Sequence, residues 1–402
     1  MALRSFSHSS NVLARRPVTV IALAQLLGTS LWFSANSAFD ELARAWDVSA
    51  AEIGWLTGAV QGGFILGTLT LALTGLADRF RASHLFVIFA IIGALCNALF
   101  AWTAQGLADG LVWRFLVGLS LAGIYPVGMK LVVSFAPERT GQALAQLVAM
   151  LTLGTALPHG LKELGAQLPW QAVISASSLL ALVGAALIFR LGDGPHLPTR
   201  PASGGEHLRV FDAFRVARFR AAAWGYFGHM WELYAFWTVV PLLIAGSVLA
   251  GETPGVGVSG MAFGVIGAGA LGCLIGGALS HRVGSAAVAL SMLALSCVCA
   301  VTFALFWRSL PPLGLGALLL VWGAAVVADS PQFSALAAKA CPPTIVGASL
   351  AIMNAIGFAI TVVSIGLVTA LFERVGLDAA WLLVPGPLLG LLGYALTRKR
   401  AC

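Results

Sequence analysis

The chain has 402 residues, of which 59% are hydrophobic and only 10% charged, and its formal net charge is +7. A water-soluble domain carries about 25% charged residues, so this chain cannot cover its own surface in water, and a bilayer is the solvent that suits it. The positive balance does not point to nucleic acid, because the basic residues recur in short clusters between apolar runs rather than in one patch.

Residues 1–16 are polar and lack a signal-peptide cleavage pattern, so the first apolar run is expected to stay as a span. Spans of about 20 apolar residues are predicted near 17–39, 53–76, 84–104, 108–134, 141–164, 170–190, 219–246, 258–280, 285–307, 313–336, 346–371 and 379–397. In span one, Gln25, Thr29, Trp32 and Asn36 fall at helical spacing on one face. A polar face on a membrane helix looks at protein or water, so the stripe is either a solute-binding wall or a set of interhelical hydrogen bonds. Gln61 in span two, Tyr125 in span four, Trp322 in span ten and Asn354 in span eleven are further substrate-binding candidates by the same argument. Between spans six and seven, residues 193–218 hold Pro195, Pro198, Pro201, Gly204 and Gly205 and the start of a basic segment. They read as a cytoplasmic linker leading into an interfacial helix, dividing the chain into halves at 1–192 and 219–402. In span seven, His229 and Glu232 are three residues apart and share a helix face. An ionisable residue within a span is costly and is a functional candidate by default. Glu232, with His229, could take up and release protons as a carrier does, or could be a permanently paired structural residue.

With both termini in the cytoplasm, seventeen of the 23 Lys and Arg residues fall in inner segments and four in outer ones, which fixes the expected orientation. The expected place is the plasma (inner) membrane. The six cysteines form no disulfide framework or metal pair and read as small apolar core residues. No phosphate loop, nucleophile elbow or zinc-protease motif occurs. No catalytic residue, metal or cofactor is therefore expected, and an ion gradient is the expected energy source.

The two halves echo each other. Leu76 and Arg79 match Leu279 and Arg282, and Gly141-x-x-Leu144-Ala145 matches Gly347-x-x-Leu350-Ala351. With the loop motif Leu76-Ala77-Asp78-Arg79 after span two, and Arg114-x-x-x-Gly118 followed by Tyr125-Pro126 in span four, the chain resembles the major facilitator superfamily along essentially its whole length. It departs from the family's loop motif at both glycines: Thr74 stands first, with Gly75 one place late, and Arg81 stands last. The second half has His281 in place of the acid, and the family's antiporter motif in span five is not reproduced around Pro158 and His159.

The resemblance implies an all-α polytopic fold of twelve transmembrane helices in two pseudo-symmetric six-helix bundles. It implies that Asp78 and Arg79, with Arg282 in the second half, belong to a charge network gating the inner face. It makes Arg114 a candidate for charge coupling, the alternative being an anchor bonded to helix ends. Lys130 and Asp329, at comparable depths of spans four and ten, could close an inner gate. Alternatively Lys130 meets an anionic substrate or snorkels to the interface.

The expected function is a secondary active transporter, proton-coupled, moving a small polar or anionic solute by alternating access and complete as a monomer. A drug or metabolite efflux antiporter is the transport alternative. A transport-dead sensor or a membrane-embedded enzyme is the alternative of another class. The expected partners are a small-molecule solute, protons and the lipid bilayer.

Overall fold

The structure, a computed structural model, describes residues 16–165, 167–196, 212–251, 255–341 and 345–399, without the side chains of Ala77, Asp78, Thr140, Ala348 and Lys399. Among the described residues there is no strand, and the helices form the expected twelve crossings in two six-helix bundles. In the first bundle these are α1 (Pro17–Thr29) with its continuation, α3 (Ala50–Thr74), α5 (Ala82–Thr103), α6 (Leu107–Phe135), α7 (Thr140–Leu164) and α8 (Trp170–Leu191). Two short helices, α2 (Phe39–Trp46) and α4 (Leu76–Arg79), join them. The second bundle comprises α9 (Ala217–Ala245), α10 (Val258–Val283), α11 (Ser285–Phe306), α12 (Pro312–Ala328) running into α13 (Ser330–Ala340), α14 (Val346–Val375) and α15 (Pro385–Lys399). With an even number of crossings the chain enters and leaves on one side, termed the near end; the opposite side is the far end.

Local chemistry explains the departures from simple spans. α1 stops at Thr29, inside the predicted span one. There Thr29, Ser30, Ser34 and Ser37 donate their hydroxyls to carbonyls three or four residues back, at 2.8, 2.7, 3.1 and 2.8 Å. Such bonds compete with the helical ladder, and the chain continues through turns to a 3-10 segment at Asn36–Ala38. α2, unexpected from the apolar pattern, is an amphipathic far-end helix with Leu42 buried and Trp46 edge-on to Phe100. Ser49 and Glu52 form a capping box that starts α3. Gly75 ends α3 in the left-handed region, φ 66°, so the glycine displaced by one place still serves as the stop.

α9 is too polar along its length to count among the stretches recognised as membrane-crossing by apolarity. It crosses nonetheless, because most of it, His229 and Glu232 included, is buried in protein and these polar side chains need not meet lipid. Where the interfacial helix was expected, residues 212–215 form one 3-10 turn and α9 begins directly at Ala217. At the near end, Asp193 after α8 accepts the Ser83 N–H at the start of α5 (2.7 Å) and pairs with Arg81 (3.1 Å). Partial burial works to raise its pKa, but these bonds hold the carboxyl below the usual carboxylate range.

The two bundles repeat one close helix contact at a constant sequence offset. A methyl on Gly118 of α6 would lie 2.0 Å from the Val60 carbonyl oxygen of α3; on Gly323 of α12 it would lie 1.9 Å from the Val265 carbonyl oxygen of α10. Gly67 approaches the Leu119 carbonyl as Gly272 approaches that of Ala324. Only glycine permits backbones this close. Gly118→Ala and Gly323→Ala are each expected to cost about 2 kcal/mol, read as a lower melting temperature of the purified protein. Gly264→Ala, where a methyl meets open space, should leave it unchanged.

Candidate functional site

A cavity of about 390 Å³ lies between the bundles. Gly141, Ser280, His281, Ser285 and Lys339, from near-end helix termini, form its mouth. Its walls come from α6, α7, α9, α10, α13 and α14, including Tyr125, Tyr226, Met230 and Asn354. Its deepest residues, Tyr234, Trp237 and Phe358, join an aromatic roof that crosses from one bundle to the other. Trp32 lies 5.6 Å from Tyr234 and 5.8 Å from Phe358, Phe64 lies 4.5 Å from Phe358, and Phe33 meets Trp237 edge-on at 5.9 Å.

Beyond the roof, two matched contacts join the bundles at the far end. Glu163, at the end of α7, accepts the backbone N–H groups of Gly257 (2.7 Å) and Gly260 (2.9 Å) at the start of α10. Glu373, at the end of α14, accepts the Ala51 N–H at the start of α3 (2.6 Å). The first turn of a helix carries unsatisfied N–H groups and the positive end of its dipole, so a carboxylate is favoured there. The far end is thus sealed and the near end open.

Behind the cavity wall, within the second bundle, lies a fully buried polar cluster. Glu232 Oε1 accepts the Trp322 indole N–H at 2.7 Å, with Ser296 of α11 beside it. His229 Nδ1 lies 2.8 Å from Asp329 Oδ1. Among the described residues, the ion pairs bring no Lys or Arg to either carboxyl. Asp329 occupies the break between α12 and α13, where Ser330-Pro331 restarts the helix; Pro331 cannot donate to the ladder. Its neighbours Val327, Ser330 and Gln332 line the cavity. The shared face predicted for His229 and Glu232 therefore points away from the cavity, toward α12.

Arg114 is fully buried in the first bundle, away from the cavity lining. Its guanidinium donates to the Leu31 carbonyl (3.1 Å), the Trp32 carbonyl, Ser34 Oγ (3.0 Å) and Asn97 Oδ1 (3.0 Å). A cation on the carbonyls at the end of a helix is favoured by the dipole, and here it stitches the broken first span to its neighbours. This arrangement matches the anchor that stood as the alternative to charge coupling for Arg114.

The span-one stripe is buried in protein throughout. Thr29 bonds back to Gln25 O, Asn36 donates to Thr57 of α3 (2.8 Å), and Gln25 packs against Gly128 of α6. Thr29 also reaches the Leu151 carbonyl of α7 (3.4 Å), the Gln25 amide has no hydrogen-bond partner among the described residues, and of the four only Trp32 reaches the roof. Gln61 is also buried outside the cavity lining, and Trp322 serves Glu232. Tyr125 and Asn354 line the cavity as expected.

Arg79 and Arg282 are exposed at the near end, and the Asp78 side chain lies outside the described residues. Lys130 lines a separate shallow pocket with Ser134 and His196. Among the described residues, the ion pair of Asp329 is the one with His229, 2.8 Å away. Sequence reasoning missed Tyr226, Tyr234, Trp237 and Phe358. A signal existed: Tyr226, Met230, Leu233, Tyr234 and Trp237 follow helical spacing along α9, but they carry no charge to draw attention.

The profile of the Major Facilitator Superfamily matches residues 21–365. Among relatives, the chain is 26% identical over 238 residues to the uncharacterized transporter YgaY of Escherichia coli O157:H7, covering 56% of this chain and 58% of that one. It is 28% identical over 256 residues to the 3-(3-hydroxy-phenyl)propionate transporter of Escherichia coli (strain K12), covering 61% and 60%. The chain thus spans under two thirds of the length of either relative. Among solved structures, the human organic anion transporter MFSD10 has the same fold, with a TM-score of 0.69 at 21% identity, over 96% of this chain and 99% of that one.

Proposed function

Because the chain belongs to the major facilitator superfamily, we propose that it is a proton-coupled secondary carrier that moves a small organic solute through the bilayer by alternating access. One observation carries this reading: a cavity between two related bundles that is open at the near end and closed at the far end by an aromatic roof and two matched helix-start contacts. The lysine and arginine bias supports a cytoplasmic near end, so in a plasma (inner) membrane this state would face inward. The unit of transport is one chain, since both bundles contribute to one cavity.

Glu232 and the His229–Asp329 pair form the coupling site. Burying carboxyls without a fixed cation is costly, and a proton is the natural means of balancing such a cluster. The break of the tenth span at Asp329 links that balance to the cavity wall. Arg79 and Arg282, with Asp78, would meet across the near end when it closes. The name of the hydroxyphenylpropionate-carrying relative supports a ring-bearing solute. The apolar and aromatic lining also suits export of amphipathic compounds, which is the second reading.

Flux into proteoliposomes with an imposed pH gradient tests the proposal and gives the direction; solute movement unaffected by the gradient would refute proton coupling. The sealed far end gives a second test. Glu163→Gln with Glu373→Gln should weaken the seal by about 1–2 kcal/mol, shifting the ratio of inward to outward states roughly tenfold. Spin-label distances across the far end read this shift. Unchanged distances would remove these contacts from the gate.

A further inference from the structure

The cavity's charges lie in the wrong place to bind an anion deeply. Its ionisable basic residues, His281 and Lys339, both stand exposed at the mouth. Lys339 is nine residues along α13 from Ser330, about 13 Å at 1.5 Å per residue. Tyr234 and Phe358 belong to the roof, at the other end of the cavity from this mouth. Arg114 is committed to carbonyls, and Glu232 and Asp329 lie behind the wall.

What the deep half offers instead is neutral. Tyr234, Trp237 and Phe358 supply ring faces and edges. The hydroxyls of Tyr125, Tyr226 and Tyr234 are lining groups not engaged by described residues, and Asn354 adds an amide. The Trp237 indole N–H is buried on a lining residue and finds no acceptor among the described residues. A carboxylate there would be desolvated with no countercharge, which costs far more than the hydrogen bonds return.

Resting on the carrier reading for the cavity's role, we propose that this site takes an uncharged, ring-bearing solute with hydroxyl or amide substituents and discriminates against the matching carboxylate. The basic mouth then acts only on approach, through its field.

Matched probes test this on the purified full chain: nicotinamide against nicotinate, and 3-phenylpropanamide against 3-phenylpropionate. Affinity is measured by calorimetry at pH 7. The neutral member of each pair should bind at least about tenfold more tightly. Phe358→Ala should weaken it about tenfold, and Tyr234→Phe, which keeps the ring, by roughly threefold. Lys339→Ala should not change it. Equal or tighter binding of the carboxylates, or no binding of either neutral probe, overturns the assignment. Probe binding without flux in proteoliposomes would instead sink the carrier reading and leave the site assignment standing.

Discussion

Glu232→Gln is expected to abolish solute accumulation driven by a pH gradient while leaving downhill exchange in place. Glutamine preserves the volume and the acceptor for the Trp322 indole, a bond of 2.7 Å, so packing is kept. What it removes is the proton. A gradient of one pH unit is worth about 1.4 kcal/mol per proton, roughly tenfold accumulation, and that factor should fall to one. Trp322→Phe offers a graded comparison: it deletes the donor but keeps the carboxyl, so the pH profile of transport should move without loss of coupling. Full accumulation by Glu232→Gln would show that the carboxyl is a permanently protonated or structural element. In that case Asp329→Asn becomes the deciding variant, because His229–Asp329 is the remaining buried pair.

Arg114→Leu should have the largest effect on folding, about 3 kcal/mol or more. The guanidinium satisfies the Leu31 and Trp32 carbonyls and Asn97 Oδ1 at once, and a leucine strands all of them in the bundle interior. Arg114→Lys should rescue only part of the loss. An ammonium is a point charge that cannot span this fan of acceptors as the planar fork does. The measurement is the melting temperature of purified protein, alongside proton-driven flux by whatever fraction folds. Normal melting with lost proton coupling would restore Arg114 to the transport machinery and refute the anchor role.

Much of the architecture was legible in the sequence, because a bilayer demands long apolar runs and the runs are there. Deep burial of Glu232, Arg114 and the Gln25–Asn36 stripe also followed, since none of them tolerates lipid. Their partners did not follow. Arg114 binds backbone carbonyls, which leave no mark in a sequence. His229 meets Asp329 from 100 positions away, while helical spacing informs only about neighbours on the same helix. The first span's interruption depends on hydroxyls that choose between water and the backbone according to burial. The cavity went unread because its walls are aromatic and neutral, and in a chain with 22 phenylalanines and 12 tryptophans such residues do not stand out.

The glycine contacts between α3 and α6 and between α10 and α12 set where motion is allowed. Backbone touching backbone cannot slide by changing a rotamer, so each pair behaves as one riveted beam. The seams that can shear are those cushioned by side chains, such as Gly54 against Thr369 and Gly160 against Phe263. Both of these join one half of the chain to the other. The molecule is in effect a pair of stiff frames with lubricated joints, and its rocking axis is drawn by where it could dispense with bare main chain.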